Sequence, residues 1–400
     1  MRMETGVISL FTAVGVVALS GCGGENEGDA ALVQKGGDER TGEYNAVPGW
    51  WKPAPDHDEE WTWGQGGAIA ADTPDRIIVG LWGDRSHPSV FGASVQTEER
   101  PGGSNYVVVV DGDGNITERW SQWDSIFNRV HAIYISPYDP ERHVWIVERG
   151  GNGVHEQVLK FTNDGSELVM QLRDPNPVQT REEQRANPNP GPLDFGQNAS
   201  LAFLPDGSFL LADGYTNSRI IKFSADGEYI MEWGELGSGP GQFDLVHGVD
   251  VDREGRVYVA DRGNSRVQVF TGNGEFIDEW PNIFFPVDVS VDVNDGVWVT
   301  SAVLNRIMKY STNGEYQYGW GTYGFTGGGF GAEGDPERWQ TAELTRAPGA
   351  MSRPHQIDVD QDGNVYVVNF DTGHVDKFVP KPNADPSKLV GPSLGYSIND

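Results

Sequence analysis

Three histidines occupy the same position in copies of an internal repeat. His131, His247 and His355 each stand just ahead of an alternating apolar run, in "VHAIYI", "VHGVDV" and "PHQIDV". Three imidazoles that converge on one point would form a three-nitrogen metal site with an open position for water or substrate, which is the arrangement expected of catalytic zinc. The other five histidines share no such register and are predicted to be surface or loop residues.

The repeat that positions these histidines occurs six times, and each copy contains three or four short alternating runs separated by Asp-Gly, Asn-Gly or Glu-Gly turns. The pattern predicts a four-stranded antiparallel meander. Six meanders packed face to face in a ring give a six-bladed β-propeller, so the fold class is all-β. With the turn glycines aligned, the position of His247 is filled around the ring by Gly67, His131, Ala199, His247, Asp288 and His355. The histidines therefore fall in alternate blades and are expected to face the central channel.

The start of the chain is expected to be a targeting segment. Residues 6–21 are uncharged and mostly apolar, and they lead into Leu19-Ser20-Gly21-Cys22, which resembles the lipobox of bacterial lipoproteins. The resemblance implies that residues 1–22 are a signal peptide, that Cys22 is lipidated, and that the protein is anchored by lipid in the cell envelope, facing the periplasm or the exterior. Residues 23–57 are rich in Gly, Glu and Asp and are predicted to be a flexible tether.

The propeller is predicted to span residues 58–380, followed by a C-terminal tail over 381–400. The run Asp58–Gly64, "DEEWTWG", is similar to the outer-strand run "YIMEWGE" and is expected to supply the outermost strand of the last blade. The composition, with 53 Gly and 24 Pro, suits many short strands. A net charge of −30 repels phosphate backbones and argues against nucleic-acid binding, and a monomer is expected.

The unit "PHxIxVDxxGxVYVxDxxNxRVxxFxxxGxxxxxW" resembles the NHL repeat. Roughly residues 60–380 resemble one enzyme family in particular, peptidyl-α-hydroxyglycine α-amidating lyase, a six-bladed propeller whose zinc is held by three histidines; "DGYTNSRI" is the most specific match. The resemblance implies that His131, His247 and His355 bind zinc, that Tyr215 is the catalytic tyrosine, and that Arg262 binds the substrate carboxylate. The implied reaction splits a peptidyl-α-hydroxyglycine, or a small carbinolamide, into an amide and glyoxylate.

Several positions depart from that family. Its catalytic arginine in the first blade aligns with Trp82, so Arg85, three residues on, and Arg149, in the repeat position of Arg262, are candidates to replace it. The aspartate that follows the family's third histidine is Gln356 here, which argues against the family's structural calcium. The family's methionine two residues before that histidine is Arg353, and its cysteine after the tyrosine is Thr216.

Two other functions stay open at this point. The chain could be a non-enzymatic propeller that binds a protein or peptide on its channel face, with structural histidines, an arginine ion pair at Arg262 and a channel-lining Tyr215. It could also be a calcium-dependent hydrolase of the lactonase type, which needs Asp, Asn or Glu ligands on the inner face, where Asp288 is the one candidate. Three long insertions, 83–105, 173–197 and 321–352, are predicted to frame the channel mouth.

Overall fold

The fold is a ring of six antiparallel sheets with four strands each. The structure, a computed structural model, describes residues 40–52, 54–55, 63–83, 104–151, 153–175, 177–321, 348–370 and 372–394. Cys22 and Arg85 lie outside these residues. The first strands of successive blades contact one another around the whole ring, so the predicted six-bladed propeller is confirmed.

The strand bounds follow the predicted repeat. Blade 1 contains β2 (Gly66–Thr73), β3 (Arg76–Leu81), β4 (Val107–Val110) and β5 (Ile116–Arg119); blade 2 contains β6 (Val130–Ile135), β7 (Val144–Glu148), β8 (Gln157–Phe161) and β9 (Leu168–Arg173); blade 3 contains β10 (Asn198–Phe203), β11 (Phe209–Asp213), β12 (Arg219–Phe223) and β13 (Tyr229–Trp233). Blade 4 contains β14 (Val246–Val251), β15 (Val257–Asp261), β16 (Arg266–Phe270) and β17 (Phe276–Pro281); blade 5 contains β18 (Pro286–Val291), β19 (Val297–Ser301), β20 (Arg306–Tyr310) and β21 (Tyr316–Gly321); blade 6 contains β22 (Pro354–Val359), β23 (Val365–Asn369), β24 (Val375–Pro380) and β1 (Tyr44–Ala46).

The helical segments of the described residues are short. They are the α-helix α1 (Arg181–Ala186) and two 3₁₀ turns, Ser121–Ile126 and Pro386–Lys388. No helix in this part of the chain is long and apolar enough to cross a membrane.

Aspartates fix the hairpin turns between the first and second strands. In blade 4 the Asp252 carboxylate accepts hydrogen bonds from the backbone N–H groups of Glu254 and Arg256, both at 2.9 Å, and from the Tyr258 hydroxyl at 2.8 Å. Asp360 repeats the arrangement in blade 6. An aspartate that bonds its own downstream backbone stabilises a tight turn, which explains the Asp-x-x-Gly part of the repeat.

The Asp-x-x-Asn-x-Arg part of the repeat is also structural. Asp261 accepts from Asn264 Nδ2 at 2.9 Å and from Arg266 Nε at 2.8 Å, while Arg266 Nη1 donates to Glu279 on the fourth strand at 2.6 Å. Blade 3 repeats this network through Asp213, Asn217, Arg219 and Glu232. These buried charges are paired, as burial requires, so this second arginine of the motif belongs to the scaffold and not to a site.

Six apolar clusters fill the spaces between neighbouring blades. Between blades 5 and 6, Trp298 and Trp320 pack with Ile357 and Phe378, and the Trp320 and Phe378 rings meet edge to face at 4.8 Å. Each sheet thus buries both faces against its neighbours, which a single meander cannot do.

The strand that closes the ring is β1, not Asp58–Gly64. Tyr44 pairs with Pro380 and Ala46 with Phe378. The three residues of β1 lie within the stretch 23–57 that was predicted to be a tether. Residues 58–62 lie outside the described part of the chain, and Trp63 packs against Trp51 with ring centroids 4.8 Å apart, without forming a strand. The prediction is wrong because Trp63 packs in the apolar cluster between two blades and does not belong to an outer strand.

The histidine position is a β-bulge in the first strand of each blade. Between the first and second strands the pairing skips one residue, which is His131 in blade 2, His247 in blade 4 and Val287 in blade 5. In blade 6 the register shift contains His355. A bulge turns a side chain away from the regular alternation and is frequent beside functional sites.

The assignment of Asp288 to the histidine position is therefore wrong by one residue. Asp288 pairs with Thr300 in the regular ladder, and Val287 occupies the bulge. The error arises in the turn of blade 5, where Asp295 has the positive φ (60°) that Gly255 has in blade 4 (78°). Because aspartate tolerates this conformation, the turn glycine of blade 5 comes one residue later, and aligning the glycines shifts the strand.

Candidate metal centre and active site

His131, His247 and His355 meet on the propeller axis. Each lies on the first strand of its blade, and their side chains are 0%, 2% and 6% exposed in that order. The ring centroids are 4.7–5.0 Å apart, and one ligand atom from each lies within 4.8 Å of the others. Among the described residues this is the single group of three or more His, Cys, Asp or Glu side chains close enough to share a metal ion.

Backbone carbonyls of the neighbouring blades fix the histidine tautomers. The Nδ1 atoms of His131, His247 and His355 donate to the carbonyl oxygens of Ala199 (2.7 Å), Val287 (2.6 Å) and Gly67 (2.7 Å), which are the bulge residues of the three blades without a histidine. A carbonyl accepts only, so Nδ1 carries the proton and Nε2 keeps its lone pair. This carbonyl support is the arrangement that orients histidine ligands in metal sites.

Burial keeps all three imidazoles neutral. It lowers the pKa values of His131 and His247 well below the usual value. Interaction with His355 and Arg149 lowers the pKa of His131 further, and interaction with Arg262 lowers that of His247. For His355 burial and then the arginines outweigh the Gly67 hydrogen bond and lower the pKa to about 3. Neutral imidazole is the form that binds a metal ion.

The Tyr215 hydroxyl lies between two of the ligand nitrogens. Its oxygen is 3.1 Å from His131 Nε2 and 3.0 Å from His247 Nε2. The hydroxyl has one proton and both Nε2 atoms are acceptors. The hydroxyl can therefore donate to only one of them, and the other Nε2 lacks a hydrogen bond from it. His355 Nε2 is buried and has no hydrogen-bond partner among the described residues. Three Nε2 atoms that can each offer a lone pair to a metal ion fit a bound cation such as zinc.

Three arginines surround the Tyr215 ring. The guanidinium carbons of Arg149, Arg262 and Arg181 lie 3.7, 5.1 and 5.9 Å from its centroid, and Arg262 Nη1 is 3.4 Å from the hydroxyl oxygen. Burial raises the pKa of Tyr215, but the positive charges of Arg149, Arg262 and Arg181 outweigh it, so that the net pKa lies below the usual 10. The site therefore favours the tyrosinate form more than water does.

Arg149 and Arg262 occupy the same repeat position, and both lie beside the Tyr215 ring. Burial, with repulsion from Arg129, Arg181 and Arg262, lowers the pKa of Arg149 to about 9 even though Tyr215 opposes the shift. Trp82 is buried beside them, with the Arg149 guanidinium carbon 5.5 Å from its ring centroid. Arg149 thus adjoins the position where the resembling family has its first-blade arginine.

Gln356 offers no ligand for calcium. Its Oε1 accepts from the backbone N–H groups of Ile69 (3.1 Å) and Ile133 (3.3 Å), and its Nε2 donates to the Ile133 carbonyl at 2.9 Å. Calcium binds charged and neutral oxygens, usually with a carboxylate among them. This side chain is neutral and already bonded at both polar atoms, so the residues here do not fit a calcium ion.

The calcium-hydrolase alternative loses its candidate ligand at the histidine position, because Val287 and not Asp288 is there. Asp288 turns instead to the backbone of blade 6, where its Oδ2 accepts from the Ile357 N–H at 3.2 Å.

Two residues at the site were missed by the sequence reasoning. They are Arg181 and Gln197. Arg181 lies on α1, within the insertion 173–197, and its guanidinium group donates hydrogen bonds to Gln197 Oε1. The repeat register was sufficient to find Gln197, because it stands two residues before the bulge of blade 3 as Arg353 does in blade 6. Nothing in the sequence register marks Arg181.

Comparisons with known proteins show similarity in sequence to some and in fold to others. The sequence profile of the NHL repeat matches residues 243–270. Human NHL repeat-containing protein 3 is 30% identical over 269 residues, which are 66% of this chain and 71% of the human protein. Peptidyl-alpha-hydroxyglycine alpha-amidating lyase 1 of Drosophila melanogaster is 28% identical over 177 residues, 42% of this chain and 29% of that protein. A protein of unknown function from Bacteroides thetaiotaomicron shares the fold at 11% identity, with a TM-score of 0.50 over 80% of this chain and 70% of its own.

Proposed function

The chain belongs to the family of NHL-repeat propeller proteins, and from its three axial histidines and Tyr215 we propose that it is a zinc-dependent carbon–nitrogen lyase. Its substrate would be an N-acyl-α-hydroxyglycine or a related carbinolamide, and its products an amide and glyoxylate. One observation carries the proposal. Three histidine nitrogens with fixed tautomers converge on the axis, and the Tyr215 hydroxyl lies within 3.1 Å of two of them.

His131, His247 and His355 would hold the metal ion through Nε2. When bound, the ion acts as a Lewis acid that polarises the substrate oxygen. Tyr215 lies beside the metal-binding nitrogens, and in this proposal its oxygen would take the proton of the substrate hydroxyl. Arg262 Nη1 lies 3.4 Å from the same oxygen, and this side chain would bind the substrate carboxylate.

The step balances without an oxidant or a reductant. The substrate hydroxyl would lose its proton to the tyrosinate form of Tyr215, the electron pair of that O–H bond would form the new C=O bond of glyoxylate, and the C–N bond would break with its electron pair on nitrogen. The nitrogen then takes a proton, which Tyr215 can return. Burial of the histidines keeps water away from the reacting atoms and strengthens each charge interaction there.

Metal analysis of the purified protein tests the first part of the proposal. We expect about one zinc ion per chain in the wild-type protein and its loss in His247→Ala. His374→Ala is the matched control, because this histidine contacts Asp376 away from the axis. A metal-free wild-type protein whose stability is unchanged in His247→Ala contradicts the metal centre and favours a non-enzymatic binding propeller.

Glyoxylate release tests the reaction. The zinc-loaded protein should release glyoxylate from an N-acyl-α-hydroxyglycine in equal amount to the amide, and His247→Ala should not. Stoichiometric zinc without glyoxylate would keep the metal site but assign it a different substrate.

A further inference from the structure

The rim of the site carries more positive charge than one carboxylate requires. The chain has 59 acidic and 29 basic residues, yet Arg149, Arg181 and Arg262 meet around one tyrosine. Within the described ranges none of these three forms an ion pair with a carboxylate. The scaffold arginines Arg219 and Arg266 each form two. Clustered cations without counter-ions repel one another, and an anionic ligand relieves that cost.

Arg149 and Arg181 share a single, overloaded partner. Nε and Nη2 of both side chains point to Gln197 Oε1, at 3.3 and 3.0 Å for Arg149 and at 2.9 and 2.7 Å for Arg181. Four N–H donors therefore converge on one neutral oxygen that has two lone pairs. A carboxylate offers about four acceptor sites and full negative charge, so it suits this pair of guanidinium groups better than the amide does.

The pair is separate from the guanidinium that serves the reacting end. Arg262 reaches the Tyr215 hydroxyl oxygen, and its buried Nε has no hydrogen-bond partner among the described residues. Arg149 lies over the ring of Tyr215 instead, and Arg181 is exposed on α1. The arginines therefore direct their N–H donors to two places near Tyr215, Arg262 beside the hydroxyl and the pair Arg149 and Arg181 at the Gln197 amide oxygen.

We propose that Arg149 and Arg181 form a second anion subsite and that the substrate is a dianion with a further carboxylate on its acyl side. The assignment of Arg262 to the first carboxylate rests on the proposed lyase function; the second subsite does not depend on turnover. An N-acyl-α-hydroxyglycine with a dicarboxylic acyl group has this chemistry.

Binding of two matched ligands tests the subsite. N-succinylglycine and N-butanoylglycine differ by one carboxylate in place of a methyl group, and neither has the hydroxyl that reacts. Calorimetric titration of the zinc-loaded full chain should give at least about 10-fold tighter binding of the succinyl ligand, since a charge-assisted bidentate bond contributes this much. In Arg181→Gln that preference should fall below about 3-fold.

Arg185→Gln is the control, because Arg185 is exposed on the same short helix and its removal changes the net charge equally. It should keep the wild-type preference. Equal affinity of the wild-type protein for the two ligands, a preference that persists in Arg181→Gln, or equal losses in the two variants would each overturn the subsite. An intact preference without glyoxylate release from the N-succinyl or N-butanoyl hydroxyglycine would overturn the lyase function and leave the subsite standing.

Discussion

Tyr215 has one proton and two histidine nitrogens within 3.1 Å. The histidines are held from behind by carbonyl groups, so they keep their orientation when the phenol is changed. Under the proposed function, the three histidines and the tyrosine would therefore have separable roles, the histidines in binding a metal ion and the tyrosine in moving a proton.

Tyr215→Phe should lower kcat/KM for an α-hydroxyglycine substrate by about 10²–10⁴-fold, because the group that takes the proton is lost. Zinc content should stay at the wild-type level, since all three nitrogen ligands remain. Kinetics and metal analysis of the same preparation check both statements. Tyr229→Phe, an exposed change on the outer strand of blade 3, should alter neither. Loss of zinc together with activity would show that the tyrosine is a ligand or a support of the ligands.

The site histidines could be predicted because they recur at one repeat position, and Tyr215 and Arg262 because they lie in matched motifs. Arg181 could not, because it comes from an insertion outside the repeat, where no register relates its number to a place on the axis. Spacing identifies residues on the scaffold; it does not identify a side chain that an irregular loop brings back over the channel.

At the scale of elements, alternation and turn signals predicted the meanders but not the irregularities that matter for function. The bulge that aims each histidine inward leaves no mark in a pattern of period two. The closing strand β1 is also difficult to predict from the sequence, because it has only three residues and pairs with residues 378–380, which are far away in the chain.

Tyr44 makes the short closing strand stable. Its side chain is fully buried, packs on Trp320 at 5.3 Å, and accepts a hydrogen bond from the Val390 N–H at 2.7 Å. Tyr44→Ala should lower the free energy of unfolding by about 3–5 kcal/mol, as for other large buried aromatics. Tyr44→Phe keeps the packing and should cost only about 1 kcal/mol. Denaturant titrations measure both; an effect of Tyr44→Ala below that of Tyr44→Phe would show that β1 is not needed for closure.

At the scale of the whole molecule, half-buried aspartates on the first strands connect the blades around the channel. Asp250 and Asp358 accept from the backbone N–H groups of Val291 (2.6 Å) and Ala71 (2.7 Å), each on the next blade, and line with Asp288 a cavity between the first strands. Burial, against the opposing effect of these hydrogen bonds, raises the pKa values of Asp250 and Asp358 to about 7. The ring thus holds carboxyl groups whose pKa values lie near neutral pH.

Asp288 allows the effect of a protonated carboxyl on stability to be measured. Burial raises its pKa to about 8, while an aspartate in the unfolded chain titrates near 4. Between these values the folded state keeps a proton that the unfolded state loses, so this group's contribution to stability falls as pH rises from about 4 to 8. Asp288→Asn removes the titration and keeps an acceptor for the Ile357 N–H. Relative to wild type, the variant should gain on the order of 1–3 kcal/mol in free energy of unfolding between pH 5 and pH 9. Asp226→Asn, at an exposed turn, should show no such gain. If the free energies of unfolding of wild type and Asp288→Asn changed with pH in parallel, the Asp288 carboxyl would already be ionised in the folded ring at pH 5.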